Sequence, residues 1–342
     1  MNTIQKNVLM GQRSLPNFIK IKEEHMFSAI KCLVDENKKL IKEIEKKDRL
    51  TWGNFIHKLE ESDDKISKAW APIRHLNSVM NSPKIRKQYE KSLKLLTSHY
   101  AKVGQNSKLY AKYENFYNRH KNNLNQQQRK LLSDSLKGFR LSGVHLTGDD
   151  RKLFRNSQEK LATLESKFEQ NILDSSNSWE LNFKTKKPLK GMPNNAIETA
   201  AEIAKSKKQS GYTLTLDQPC YMAVMTFAED RSLRKKVYTS YASRASSEFP
   251  VKGKWDNTKI IEEILELRQL ISEILGFQNY AEYSLATKMA KTPGDVVKFL
   301  NDLKKKAIRK SRNEFSVLKK YAKNKLRMNK FEPWDLAYVA EK

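Results

Sequence analysis

The chain has 342 residues, of which 38% are hydrophobic and 31% are charged, so it holds enough apolar material for two or three compact units and is not compositionally disordered. No stretch approaches the roughly 20 consecutive apolar residues of a membrane-spanning helix, and two cysteines exclude a disulfide-rich secreted fold. The formal net charge of +27 keeps nucleic acid or another acidic partner open as a hypothesis.

The first clear helix follows the segment LTGDD. Thr147 and Asp150 fit a capping box at its start. Its predicted apolar stripe comprises Phe154, Leu161, Leu164, Phe168 and Ile172. Glycine (11 residues) and proline (9 residues) are scarce throughout, which predicts a mainly α-helical fold.

Two short segments alternate apolar and polar residues, as half-buried strands do. They are WELNF (Trp179–Phe183) and YTLTL (Tyr212–Leu216), and the residues between them predict a loop followed by a helix. The sequence thus predicts a small β-sheet inserted in a helical body. Proline and glycine in residues 184–193 suggest a boundary between a helical region, 1–183, and a region of sheet and long helices, 184–342.

Two further helices have clear signals in the C-terminal part. One begins near Thr258, carries an apolar stripe, and is predicted to stop at Gly276. The other is predicted to begin with Thr292 as N-cap, Pro293 in its first turn and Asp295 close behind, and to run towards Leu326. Such a helix spans ~50 Å, and helices of this length generally pack along another long helix.

The last segment, FEPWDLAYVAEK, predicts a helix that opens at Pro333 and buries Leu336, Val339 and Ala340. No Gly or Asn follows its apolar residues as a stop signal. The residues of this segment therefore leave open whether the helix ends here or continues.

A search for reactive groups finds no candidate catalytic, cofactor-binding or metal-binding residue. The closest two of the six histidines are 18 residues apart, so the motif H-E-x-x-H is absent. His25 and Cys32 share a predicted helix face, but two ligands without a third indicate ordinary residues. No phosphate-binding loop or nucleophile elbow is present either, and we interpret Gly138, Gly143 and Gly148 as turn residues.

Other charged and aromatic groups have ordinary interpretations. The carboxylate pairs Asp63–Asp64 and Glu262–Glu263 are predicted to lie on solvated helix faces. The aromatic cluster of YENFY (Tyr113–Tyr117) is compatible with base stacking or a peptide channel, but at helical spacing it favours a core position. The 50 Lys and 16 Arg are spread along the chain, which is typical of compositional drift; a functional basic patch is the alternative.

Five segments carry a family resemblance over nearly the whole chain. They are HLNSVMNSPKIRKQYE (75–90), RNSQEKLATLESKFEQNILDSSNSWEL (155–181), LTLDQPCYMAVMTFAEDRSLRKKVYTSYASRAS (214–246), KWDNTKIIEEILELRQLISEILGFQNYAEYSLATKMAKTP (254–293) and EPWDLAYVAEK (332–342). In this order they resemble the N-terminal half of the oligopeptidase A branch of the thimet oligopeptidase family of zinc metallopeptidases.

The resemblance implies a helical body with a deep channel that admits short unfolded peptides. It also implies a zinc ion held by the two His of H-E-x-x-H and a further Glu, with the Glu of the motif as general base. That motif belongs to the family's C-terminal half, so no zinc ligand or catalytic base can be assigned to a residue of this sequence.

Three functional hypotheses follow. The first is the N-terminal part of a cytoplasmic oligopeptidase A-like enzyme, which comes from a truncated gene, a split gene or an incomplete sequence and is inactive alone. In this hypothesis the helices around Trp255–Leu275 and Trp334–Tyr338 present an apolar face to the absent half. The second is a basic helical binding module for RNA or another acidic partner. The third is the non-catalytic half of a two-chain peptidase whose catalytic half is separately encoded.

Overall fold

The computed structural model describes residues 7–10, 15–251, 253 and 255–342, and this part of the chain is mainly α-helical. Its helices are α1 (Glu23–Lys46), α2 (His57–Val79), α3 (Pro83–Gly104), α4 (Ser107–His120), α5 (Gln126–Leu141), α6 (Gly148–Ser178), α7 (Asn194–Ser206), α8 (Gln218–Phe227), α9 (Arg231–Ala242), α10 (Thr258–Ile274), α11 (Tyr280–Leu285), α12 (Pro293–Asn324) and α13 (Leu336–Glu341). Two strands, β1 (Leu181–Phe183) and β2 (Tyr212–Leu214), pair antiparallel. The predicted fold class, mainly α with a small inserted sheet, is confirmed.

The described residues of 1–163 and 265–289 form one compact unit. In it α1 packs against α2 and α3 over a continuous apolar core. A second core lies where the end of α1 meets α4 and α5. There the ring of Phe55 meets Tyr113 edge-on, with 4.7 Å between ring centroids, and Phe116 is also buried. The core interpretation of the YENFY segment is therefore confirmed.

The glycines that precede α6 have different roles. Gly143 has a φ of +73°, which a glycine adopts without strain, and it turns the chain between α5 and α6. Gly148, with a φ of +55°, begins α6. Gly138 lies inside α5, so its interpretation as a turn residue was wrong. Helical hydrogen bonding through α5 outweighs the low helix propensity of one glycine.

Helix α6 is confirmed, but only part of its predicted apolar stripe is buried. Phe154 and Leu161 are buried, whereas Leu164, Phe168 and Ile172 are only half-buried. Polar residues occupy the buried positions of the second half of the helix: Ser166, Gln170, Asn171 and Ser175. Hydrogen bonds make this burial tolerable. Asn171, for example, donates to Asn257 Oδ1 over 2.8 Å.

The described residues of 164–264 and 290–342 form the second unit. Its core joins the two strands to α7, α8 and α9, with Leu214 and Val224 completely buried. Leu181 lies opposite Leu214 and Phe183 opposite Tyr212 in the sheet that the two strands form. The helix predicted between the strands is α7.

Helices α10 and α12 begin and end close to their predicted limits. Gly276 follows α10 with a φ of +81°. At the start of α12, Thr292 Oγ1 accepts from the Asp295 amide over 3.1 Å, and Asp295 Oδ2 accepts from the Thr292 amide over 3.0 Å. The prediction that α12 is packed along its length is wrong for the described residues, because Ala322 is the one fully buried member of the helix.

The described helices include none that combines the length and the apolar content needed to cross a membrane.

Candidate functional site

Helix α9 is positioned to present two arginines on one face. Asp230 caps it, since its Oδ1 accepts from the amides of Ser232 (2.8 Å) and Leu233 (3.2 Å). The helix therefore begins at Arg231, and Arg234, three residues later, lies on the same side.

Both arginines bind Asp335, the residue before α13. Arg231 donates from Nε (2.9 Å) and Nη2 (2.7 Å), and Arg234 donates from Nη2 (2.9 Å). Arg234 and Asp335 are completely buried, whereas Arg231 is partly exposed. A buried charge needs such pairing, because an ion left alone in the protein interior loses its solvation.

Arg234 satisfies its remaining donors within the same unit. Its Nη1 donates to the carbonyl of Ala228 over 2.7 Å and its Nε to the carbonyl of Trp334 over 3.2 Å. Its guanidinium also lies 4.0 Å from the centroid of the Tyr338 ring, a cation–π contact. We call Arg231, Arg234, Asp335 and Tyr338 the arginine clamp; it ties α13 to α9.

The clamp determines the electrostatics and the orientation of the last helix. Burial alone would raise the pKa of Asp335, but hydrogen bonds from Arg231 and Arg234 outweigh burial and hold the pKa below its usual range. With Asp335 and Tyr338 turned inwards, Val339 is buried while Leu336 and Ala340 are exposed. The prediction that Leu336 and Ala340 are buried was therefore wrong.

A buried polar network lies in the first unit. Asn37 on α1 donates from Nδ2 to Ser62 Oγ (2.9 Å) and Asp63 Oδ1 (3.2 Å). Its Oδ1 lies 3.0 Å from Nε2 of His99 on α3. With both amide hydrogens committed, Asn37 Oδ1 is an acceptor, so His99 carries its proton on Nε2.

Burial shifts both titratable members of this network. It raises the pKa of Asp63 to about 6, with a smaller contribution from the charge of Glu60. It lowers the pKa of His99 to about 4, assisted by the charge of Lys38. The interpretation of Asp63 as a solvated carboxylate was thus wrong, whereas Asp64 is on the surface and pairs with Lys68 over 2.6 Å.

An apolar cavity of about 450 Å³ lies between α7 and α8 in the second unit, with Cys220 in its lining. Burial raises the pKa of the Cys220 thiol above its ordinary value. A thiol acts as a nucleophile in its ionised form, so this environment opposes nucleophilic chemistry at Cys220.

The residues present do not match a zinc site. His25 Nδ1 accepts from the Lys22 amide (3.1 Å) and helps to cap α1, while Cys32 lies two turns away against Glu36. Across the described part of the chain, no three His, Cys, Asp or Glu side chains are grouped closely enough to hold a metal ion. We therefore assign no zinc ligand and no zinc-dependent step to these residues.

Sequence reasoning did not find the clamp or the network, because their partners are far apart in the chain. Asn37 and His99 are separated by 62 positions, and Arg234 and Asp335 by 101. The available signal was the spacing of Arg231 and Arg234 behind a capping Asp.

Comparison with known proteins places the chain in a family. Residues 30–151 match the family model described as Neurolysin/Thimet oligopeptidase, N-terminal domain. Residues 224–342 match that of Peptidase family M3. The arginine clamp lies wholly within the second match.

Relatives align with nearly all of this chain. Oligopeptidase A of Haemophilus influenzae is 38% identical over 337 residues, which are 98% of this chain and 50% of the relative. Oligopeptidase A of Escherichia coli is also 38% identical, with the same coverage. The probable cytosolic oligopeptidase A of Arabidopsis thaliana is 30% identical over 351 residues, covering 100% of this chain and 49% of the relative.

The chain thus spans about half the length of these three relatives, and each alignment covers 98% or more of this chain. The order of the two family models along the chain agrees with the order of the resembling segments. The chain belongs to peptidase family M3 and carries the N-terminal domain of its thimet oligopeptidase and oligopeptidase A members.

Proposed function

We propose that this chain is the N-terminal part of an oligopeptidase A-like zinc metallopeptidase that hydrolyses short unfolded peptides in the cytoplasm. The observation that carries the proposal is the 38% identity over 98% of this chain, set against 50% of the relative. In this proposal residues 1–183 form the N-terminal helical region, and residues 184–342 lead towards a catalytic domain.

The proposed role is to form one wall of a peptide channel, not to perform the chemistry. The family resemblance implies a zinc-bound water as nucleophile, activated by the Glu of H-E-x-x-H. This sequence lacks that motif, so the zinc ligands and the general base belong to the remaining half of the enzyme. The chain alone is then inactive.

The inactivity is tested with the purified chain, a quenched fluorescent peptide and added zinc. We expect turnover at the level of a buffer blank, with or without a chelator. Full-length Haemophilus influenzae oligopeptidase A, assayed in parallel, shows that the peptide is a usable substrate. Chelator-sensitive hydrolysis by the chain alone, well above the blank, would contradict the proposal.

In one version of this proposal the enzyme consists of two chains, and a separately encoded polypeptide supplies the catalytic half. The compact core of each unit supports it, because a partner needs a folded surface to recognise. Sequencing the DNA next to the gene tests this version. A neighbouring reading frame that encodes H-E-x-x-H is the expected result, and the absence of such a frame anywhere in the genome contradicts it.

A second candidate function is binding of RNA or another acidic partner. The observation that favours it is the composition of α12, which has ten Lys or Arg and three acidic residues. Binding through such a surface weakens steeply with salt, because phosphate contacts release counterions. Titration with a labelled RNA at low and high salt tests it. No binding at low salt, or binding that ignores ionic strength, eliminates this function.

A further inference from the structure

Helix α12 is long, well capped and largely uncovered. Its 32 residues begin at a complete capping box, so the helix has its own start signal. From Pro293 to Val317 none of its residues is fully buried. Large apolar side chains are nevertheless exposed there: Val297 by 57%, Phe299 by 62%, Leu300 by 56% and Leu303 by 48%.

These apolar side chains follow helical spacing. Val296, Leu300, Leu303 and Ala307 are separated by four, three and four residues, which places them along one side of the helix, with Phe299 beside them. We call this row, residues 296–307, the apolar stripe of α12. Basic residues such as Lys305, Arg309 and Arg312 occupy the opposite side, and Lys304 and Lys310 border the stripe.

The apolar core contacts described for this helix within the second unit lie at its C-terminal end. Ala322 packs with Tyr338 and Val339 of α13, and Phe315 meets Phe331 edge-on, with 5.5 Å between ring centroids. The apolar stripe lies N-terminal to these contacts. An amphipathic helix gains most of its stability by burying its apolar side, and exposed apolar patches commonly mark interaction sites.

We propose that the apolar stripe of α12 is the docking surface for the polypeptide that carries the remaining half of the family's length. This inference rests on the proposed function and adds the location of its interface. Two observations select the occupant. The stripe lies within residues 224–342, which match the Peptidase family M3 model, and about half of each relative has no counterpart in this chain.

Charge defines the chemistry of the partner. Lys310 pairs with Glu314 over 3.8 Å, whereas Lys304 borders the stripe, so the docked surface presents an apolar ridge with a carboxylate beside Lys304. A second copy of this chain is a poor occupant, since two chains of net charge +27 repel each other and both bring lysines to the same contact.

The test measures binding between this chain and the separately expressed C-terminal half of Haemophilus influenzae oligopeptidase A, by titration calorimetry. The stripe variant is the double substitution Leu300→Glu and Leu303→Glu. Both side chains are about half exposed, so the substitutions leave the core intact. We expect binding to weaken at least about tenfold, because the substitutions replace buried apolar contacts with two charges.

The matched control places the same two charges on the opposite side of the same helix, with Asn313→Glu and Ser316→Glu. These residues are also three apart and exposed. We expect the control to bind within about threefold of the unmodified chain. Circular dichroism and urea unfolding of all three proteins establish that each is folded.

The outcomes separate this inference from the proposed function. If the C-terminal half binds and gains peptidase activity equally with the unmodified chain and the stripe variant, the docking surface is wrong and the proposed function stands. If the unmodified chain neither binds nor activates that half, both fail. Two other results also overturn the assignment. The unmodified chain could self-associate, or bind phosphatidylserine vesicles, in a way that the stripe variant abolishes, while the stripe variant still binds the C-terminal half.

Discussion

Asn37 contacts Asp63 and His99, and these two side chains change the free energy of unfolding in opposite directions as the pH rises. The pKa of Asp63 is about 6 in the folded chain, above its ordinary value of 3.8, so protonation of Asp63 stabilises the fold. This contribution to the free energy of unfolding is fully present below pH 3.8 and is lost as the pH rises through about 6. The pKa of His99 is about 4 in the folded chain, below its ordinary value of 6.5, so the neutral imidazole stabilises the fold. This contribution to the free energy of unfolding is fully present above pH 6.5 and is lost as the pH falls through about 4. Between pH 4 and 6 the two effects offset each other.

Single substitutions should therefore uncover opposite pH slopes. In Asp63→Asn, the free energy of unfolding should rise with pH between about 4 and 6.5 relative to the unmodified chain, because the His99 effect remains. In His99→Gln it should fall with rising pH over about 4 to 6. Each pKa unit corresponds to about 1.4 kcal/mol, and partial exposure reduces the total to about 1–2 kcal/mol.

Urea unfolding at several pH values measures these slopes. All other titrating groups are common to the three proteins and cancel when the slopes are compared. Identical slopes for the unmodified chain and both variants would show that the network does not titrate as described.

The arginine clamp predicts a large difference between replacing its buried aspartate and replacing its partly exposed arginine. Asp335→Ala leaves Arg234 charged and unpaired in the core, which should reduce the free energy of unfolding by about 3–5 kcal/mol. Arg231→Ala removes a partly exposed donor and should cost about 1 kcal/mol. Urea unfolding provides both values.

Joint replacement of the buried pair distinguishes pairing from simple loss of packing. The double variant Arg234→Met, Asp335→Leu removes both charges together. Its loss in free energy of unfolding should be well below the sum of the losses measured for Arg234→Met alone and Asp335→Leu alone. An additive double variant, or an Asp335→Ala variant as stable as the unmodified chain, contradicts the clamp.

At the scale of elements, the N-terminal part of α12 depends on its cap more than a buried helix does. Few tertiary contacts hold residues 293–303, so Thr292→Ala should cost about 1 kcal/mol of local stability. Hydrogen exchange of the amides in the first turns should become about fivefold faster. Ser316→Ala, an exposed change in the same helix, is the control and should leave these amides unaffected; equal exchange in the two variants would argue against the cap.

Element positions were predictable where local signals were strong. The limits of α10 and α12 follow from caps and a stop glycine, and the presence of two short strands follows from alternating residues. The second half of α6 was not predictable in the same way, because Asn171 is buried through a hydrogen bond to Asn257, 86 positions away. Likewise, the inward face of α13 depends on Arg231 and Arg234 and not on its own apolar spacing.

The expected exposed apolar face was only partly located from the sequence. Ile261 and Leu265 on α10 and Leu336 on α13 are exposed, but Tyr338 is buried in the clamp. The apolar stripe of α12 is a further row of this kind, with Leu300 and Leu303 about half exposed. Spacing identifies an amphipathic helix, but it does not indicate whether a neighbour covers the apolar side.

At the scale of the whole molecule, the chain belongs to peptidase family M3 and spans about half the length of its oligopeptidase A relatives. The family resemblance assigns the chemistry to H-E-x-x-H, which this sequence lacks. The central proposal is therefore one of complementation, in which the chain supplies the part of a peptidase that precedes this motif.

Peptide hydrolysis by a mixture of two polypeptides tests this claim most directly. The purified chain is mixed with the C-terminal half of Haemophilus influenzae oligopeptidase A and zinc, and cleavage of a quenched fluorescent peptide is followed. We predict chelator-sensitive turnover in the mixture that exceeds the sum of the two separate polypeptides by at least about tenfold. A mixture no more active than that sum, or a chain that hydrolyses the peptide alone, would contradict the account.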